Sequence, residues 1–442
     1  MAAIGSKAVS AIGSGLKSLT AGAISAGANF ENAMSSVAAI SGATGSDFDR
    51  LSEKAKQLGK STQYTASETA SAMEYMAMAG WKTEDMLNGI EGVMDLAAAS
   101  GEDLAGVSDI VTDAMTAFGL SADGTTKIIK DGFTKEVSNA SHFADVLAAA
   151  SANSNTNVAM LGESFKYAAP VAGSLGYSVE DTAIALGLMA SSGLKSSMAG
   201  SSLRTILTNL AKPTDDISDA MDYLGISLQN GDGSMKSLMD IVTDLRGAFG
   251  QCKMPMDQFQ ENLAKLDEKY ANGELTEKKY NEALADLTEK AYGAEGALKA
   301  KYAATLAGKE GMSGLLSIVS AAPEDFDKLT NAIYNSDGAA KEMAEIKMDN
   351  LQHDVVKLQS AMEGLGITAF NQVGGKMRGL VGIATETVGK IDEKLASGKG
   401  IEKAVDKIES MVEKAKPYWD IFKTDALEAG TALGDAAGAI IG

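Results

Sequence analysis

The 442-residue chain has one cysteine, five prolines, two histidines and two tryptophans, and only 5% of its residues are aromatic. A lone cysteine, Cys252, excludes an internal disulfide framework. His142 and His353 lie far apart, and neither has a second ligand at metal spacing, so no zinc motif is present. Scarce proline favours uninterrupted helices over a strand-and-turn architecture. Scarce rings leave any core to small and flexible side chains, which let helices approach closely. Basic residues are also in deficit. The 39 Lys and Arg against 59 Asp and Glu give a net charge of −20, the wrong sign for a partner made of phosphates. No run of roughly 18 strongly apolar residues escapes a charge, so no transmembrane helix is expected. The opening "MAAIGSKAVSAIGSGLKSLTAGAISAGANF" is broken by Lys17 and rich in Ala, Gly and Ser, unlike a cleaved signal.

What the chain does have is small residues and methionine, with 47 Gly and 22 Met. At 45% hydrophobic and 22% charged it belongs with globular proteins that bury a core. Ile4, Ala8, Ile12, Leu16, Leu19 and Ala23 recur at helical spacing, so residues 1–29 read as an amphipathic helix. From about Phe30 to Leu210 short helices follow one another, each opened by a hydroxyl with an acid three residues on: Ser46 and Asp49, Thr65 and Glu68, Ser100 and Asp103, Ser178 and Asp181. In "SANSNTNV", Asn157 reads as the cap of a helix beginning at Val158. "GWKTED" at 80–85 and "GYSVED" at 176–181 echo each other, each followed by a small-residue helix and then Ala-Gly-x-Ser, which suggests a duplicated helical hairpin.

Asn-Gly and Asp-Gly in "ISLQNGDGSMK" place the one expected β-hairpin at 226–236. Phe259, Leu263, Leu266 and Tyr270 mirror Tyr280, Leu284, Leu287 and Ala291 about Gly273, an antiparallel helical hairpin. Ala344, Met348, Leu351, Val355, Leu358, Met362 and Leu365 alternate steps of four and three, resumed by Ile401, Val405, Ile408 and Val412. A single amphipathic helix packed within the chain explains the same spacing. "FNQVGGKMRGLVG", 370–382, lies between the two runs as a Gly-rich hinge.

Phosphate-binding, nucleophile-elbow, dinucleotide and zinc-protease signatures are all absent. No catalytic, cofactor-binding or metal-binding residue is therefore assigned, and the expectation is no enzyme and no cofactor. A Cys-His hydrolase built on Cys252 and His353 is the least remote alternative, but both sit in poor contexts. Arg204, in an otherwise apolar helix, fits an ion pair or a snorkelling stem better than a partner anchor. Trp81 is expected to fill a gap between small-residue helices.

The segments "FENAMSSVAAISGAT", "LGKSTQYTASETASAMEYMAMAGWKTEDMLNGIEG" and "HFADVLAAASANSNTNVAMLGESFKYAAPVAGSLGYSVEDTAIALGLMASSGLKSSMAGSSLRTILTNLAKPT", in this order, resemble the core region of bacteriophage tail tape measure proteins over about half of the chain. The resemblance implies a structural protein that occupies the tail lumen of the virion, sets tail length and assists DNA delivery. It also implies assembly in the host bacterial cytoplasm. Implied partners are the tail tube protein, tail assembly chaperones, baseplate or distal tail proteins and further copies of the chain, with host membrane contact during infection and no specific nucleic-acid site. Residues 124–139 look like an insertion, and the strongly hydrophobic segments of many relatives are missing. The rival reading is a membrane-active helical protein that permeabilises the envelope.

The expected fold is all-α: a compact bundle of short small-residue helices with one small β-hairpin, plus coiled-coil-like extensions. Its expected parts are an N-terminal helix (1–29), a helical core (30–250), a helical hairpin insertion (251–310), a heptad-patterned extension (311–369), and a Gly-rich hinge with C-terminal helices (370–442).

Overall fold

The computed structural model describes residues 25–130, 133–250, 256–292, 295–364, 366–368 and 370–371. The N-terminal pattern up to Ala23, Cys252, Leu365, most of the Gly-rich hinge, the run from Ile401 to Val412, and Trp419 lie outside them. Among the described residues the fold is all-α with one two-stranded antiparallel sheet. It divides into two compact units, one formed by the chain up to Leu87 together with the chain from Met348 on, the other by Asn88–Lys347.

The first unit contains α1 (25–41), α2 (Ser46–Ser61), α3 (Ala66–Met78), the start of α4 (Thr83–Ser100), and α17 (351–364). Its core is rich in methionine: Met34, Met73, Met76 and Met86 are fully buried beside Leu51. Each such side chain contributes roughly 1.5–3 kcal/mol on burial, and an unbranched thioether fits the uneven gaps that alanines leave. Trp81 is buried too, as expected of a gap-filling ring. Thr65 and Glu68 form a complete capping box at α3. α17 is fastened to α3 and its approach by Ser360 Oγ donating to the Gln63 carbonyl (2.8 Å) and by Ser67 Oγ donating to the Glu363 carboxylate (2.7 Å).

The second unit runs through α5 (Leu104–Ala117), β1 (Thr125–Lys130), β2 (Phe133–Ser138), α6 (Asn139–Asn153), α7 (Val158–Ser174), α8 (Val179–Ser191), α9 (Ser196–Ala211), α10 (Asp215–Leu224) and α11 (Leu238–Gly250). It then continues into α12 (Met256–Ala271), α13 (Glu277–Tyr292), α14 (Glu295–Val319), α15 (Pro323–Tyr334) and α16 (Ala339–Met348). α9 lies between α7 and α14, the latter kinked at Gly308. Phe165 anchors the centre, edge-on to Phe143 (5.4 Å) and to Phe118 (5.7 Å).

Four local expectations meet different geometry. The two-stranded sheet lies at 125–138, in the apparent insertion, whereas 226–236 closes on itself with a single bridge, Gln229 to Met235. There Asp232 spends its carboxylate on the Ser234 amide and hydroxyl, which tightens the loop rather than extending strands. The α2 helix starts at Ser46 itself, with Gly45 before it and no side-chain cap. At α5 the cap is Asp103, which accepts from the Gly106 N–H (3.0 Å), while Ser100 ends α4. The heptad run is interrupted: α16 ends at Met348, and Asn350 caps α17 by accepting the His353 N–H (3.2 Å). An asparagine bonds the first-turn amides of a new helix more readily than it continues an old one.

The α12–α13 pair turns at Gly273 (φ +73°), with the Glu274 N–H reaching the Lys269 carbonyl five residues back. Tyr270 and Tyr280 face each other at 4.6 Å, and Tyr280 donates to Asp267 (2.6 Å).

Candidate functional site: carboxylates at helix starts and glycine seams

Asn157 caps α7 by accepting the Met160 N–H (2.8 Å), so "SANSNTNV" is the joint between α6 and α7. The echoed segments make equal joints. Gly80 and Gly176 both take positive φ (+90° and +78°), and the ring residue after each, Trp81 and Tyr177, donates its N–H five residues back, to Met76 and Ala172, at 3.0 Å. The acids diverge. Asp85 accepts the Lys82 N–H (2.6 Å), whereas Asp181 is buried and reaches across the unit to the Met239 N–H (3.2 Å) at the start of α11 and to the Tyr334 hydroxyl of α15. Burial, then the Asp181 bond, push the Tyr334 phenol well above the ordinary tyrosine range.

A second buried carboxylate, Asp145 of α6, accepts the N–H groups of Gly338 (2.8 Å) and Ala340 (2.9 Å) and so caps α16. Burial raises its pKa, and those two bonds only partly pull it back. Asp145 lies on the wall of a cavity of about 560 Å³, with Glu91, Asp95, Lys135, Ser141 and Lys341 also on the wall. Burial pushes the Asp95 carboxyl up to about 6 against the pull of Lys341, with Glu91, Asp145 and Glu345 adding to the rise. Asp145 spends its oxygens on backbone amides at a helix start, which is capping and not base catalysis.

His142, also buried, is bonded through Nε2 to Glu180 (2.9 Å). Burial pushes the Glu180 carboxyl up, but the hydrogen bond and electrostatic pull of His142, a backbone bond and Ser178 together hold it below its ordinary value. His353 bonds Asn350 (3.0 Å) in the first turn of α17. Arg204 is exposed, its guanidinium 5.9 Å from the Tyr167 ring centre, a cation over a ring rather than an ion pair. Arg246, which the sequence did not single out, donates to the carbonyls of Ile318 and Ala321 at 2.8 Å each and lies 4.4 Å from the centre of the Phe326 ring. Among the described residues, no three His, Cys, Asp or Glu side chains gather as metal ligands do. The polar groups of this unit stitch helix ends together.

The other recurring geometry is the glycine seam. A Cβ on Gly200 of α9 would lie 2.2 Å from the Ser164 carbonyl of α7, and one on Gly314 of α14 would lie 2.3 Å from Ser202 Oγ of α9. Gly173 meets the backbone of Phe118 in the same way, at 2.8 Å. In the first unit a Cβ on Gly27 would lie 2.1 Å from the Phe370 ring. Outside these seams, among the described residues, an apolar row is uncovered: Leu351, Val355, Leu358 and Met362 on α17 are 78, 47, 53 and 40% exposed.

A family model described as phage-related minor tail protein matches residues 52–266. That span covers α3 to α11 and the start of the α12–α13 hairpin. The core of this chain belongs to the phage minor tail protein family. Relatives of this chain include the tape measure protein of Pneumococcus phage Dp-1, 34% identical over 373 residues, which are 84% of this chain and 28% of the relative. The probable tape measure protein of Escherichia phage P2 is 25% identical over 356 residues, 80% of this chain and 37% of that protein. The chain thus spans about a third of the length of the curated relatives it matches. No solved structure matches. Among the described residues of this family member, no helix is long and apolar enough to cross a membrane.

Proposed function

We propose that the chain works as a tail tape measure protein, lying in the lumen of a phage tail, setting its length during assembly and assisting DNA delivery. The observation that carries this reading is the 34% identity to a tape measure protein along 84% of the chain. The molecule's chemistry agrees with it, since its polar groups hold helices together and its charge of −20 gives no grip on a phosphate backbone. The tube protein, assembly chaperones and distal tail proteins are its partners in this reading, and assembly takes place in the host cytoplasm. Copies of the chain meet along the uncovered row of α17, an apolar seam spaced four, three, four as helix-to-helix contacts require. The membrane-active alternative gains no support from any described helix.

The test is an in-frame deletion between 341 and 415 in the assembling phage. A helix advances 1.5 Å per residue, so each 20 residues removed shorten the tail by about 30 Å where they lie extended and helical. Tails of unchanged length in electron micrographs would refute the ruler role.

A further inference from the structure

α15 and α16 are attached to the second unit differently from the helices beneath them. Nearly every residue of α6 from Asn139 to Ala150 is buried, and α8 is buried from Asp181 to Ala190. By contrast, α15 buries only Leu329 and Ile333, and α16 only Ala340 and Ala344, while Tyr334 is 51% and Ile346 71% exposed. Two of those four buried side chains are alanines, so the apolar area that holds this segment is small.

Polar contacts take over at three points along the segment. At its start the Arg246 guanidinium bonds the carbonyls of Ile318 and Ala321 and lies against the Phe326 ring. At its middle the Tyr334 hydroxyl donates to Asp181. Just beyond it, at the start of α16, Asp145 accepts from the Gly338 and Ala340 N–H groups, beside the Lys135–Asp337 ion pair (3.4 Å). Between the first two anchors, Thr330 Oγ1 is buried with no hydrogen-bond partner, a group that water would satisfy once the segment lifted away. Hydrogen bonds exchange with water at little net cost, whereas the apolar interior of α6 and α8 does not. Such a balance selects a low-energy local opening over global unfolding.

We propose that residues 323–348 form a releasable strap, which lifts from α6 and α8 as one unit while those helices stay packed. The device rests on the tape measure reading only for its purpose, since a chain that must lie along a tube has to open; its test involves no tails.

The experiment is native-state hydrogen–deuterium exchange on the full chain, read peptide by peptide. In the unaltered protein the amides of α15 and α16 exchange faster than those of α6 and α8. Tyr334→Phe and Asp145→Asn each weaken an anchor and speed exchange over 323–348, roughly five- to tenfold for the loss of one hydrogen bond. Thr330→Val removes the orphaned hydroxyl at constant shape and slows exchange over the same residues. Protection in α6 and α8 is unchanged in all three variants. The proposal is overturned if α6 and α8 shift by the same factor as the strap, or if the strap's exchange responds to none of the changes. A tail-length deletion with no effect would reject the ruler role and leave this result standing.

Discussion

At the scale of single residues, glycine sets how close the helices come. The echoed Ala-Gly-x-Ser motifs show how one local sequence serves two purposes. Gly106 gives its N–H to the cap Asp103, while Gly200 lets α9 rest on the backbone of α7. The Ser164 oxygen that faces Gly200 belongs to the main chain and cannot swing aside as a side chain would. Gly200→Ala is therefore expected to destabilise the protein by about 1–3 kcal/mol, the usual cost of overpacking. Gly247 is also helical, but a Cβ there meets nothing within 4 Å. Gly247→Ala is expected to stabilise by up to about 1 kcal/mol through helix propensity alone. Urea midpoints of the two variants should move in opposite directions; a matching loss in both would show that the α7–α9 seam has slack. The count of 47 glycines announced close packing. At Gly173 and Gly200 the backbone that a Cβ would meet lies more than 30 residues away, and no local pattern carries that.

At the scale of elements, features set within one turn were readable and features set across the chain were not. Thr65 with Glu68, Ser178 at α8 and Asn157 at α7 were legible because a hydroxyl or amide and the amide it bonds lie three residues apart. The apolar steps around Gly273 were legible for the same reason. Apolar period alone misled at Met348, where the heptad continues but Asn350 starts a new helix. The sheet at 125–138 falls in residues that look like an insertion, although "KIIKDGFTKEV" carries the Asp-Gly signal of a hairpin turn. Asp145, the lone charge in "FADVLAAA", was a visible clue to a buried cap, but Gly338 and Ala340, its partners, are almost 200 residues on. The start of α16 should also respond to pH. Asp95 titrates at about 6 in the folded chain and near 3.9 unfolded. Between those values the folded state holds the extra proton, so stability rises as pH falls from 7 towards 4. Asp145, raised by burial, adds the same sign. Glu180, held low, adds the opposite sign, its contribution fading only as pH falls below the usual carboxylate range. For Asp95, partly reached by solvent, the gain is on the order of 1 kcal/mol. Thermal unfolding at pH 7.5 and pH 5 should show it, and Asp95→Asn should flatten the difference; stability falling steadily over that window would contradict the burial of Asp95.

At the scale of the whole molecule, two opposing forces act when copies meet. Leu351, Val355 and Leu358 on α17 have large exposed areas, and covering one such side chain contributes up to roughly 1.5–3 kcal/mol. Against this, each copy carries a net charge of −20, and chains of like charge repel over a Debye length of about 10 Å at 0.1 M salt. The apolar seam hardly depends on salt, while the repulsion does. Self-association should therefore strengthen with ionic strength, the mass measured by light scattering rising between roughly 20 mM and 500 mM NaCl as the screening length shrinks several-fold. Lysines at the seam separate this from salting-out. The double variant Leu351→Lys, Leu358→Lys should stay smaller at every salt concentration. Its thermal unfolding at low concentration should match the parent, because both side chains are already exposed in the single chain. If instead the assembly falls apart as salt is added, the copies are joined by ion pairs, and the row on α17 is not the surface that joins them.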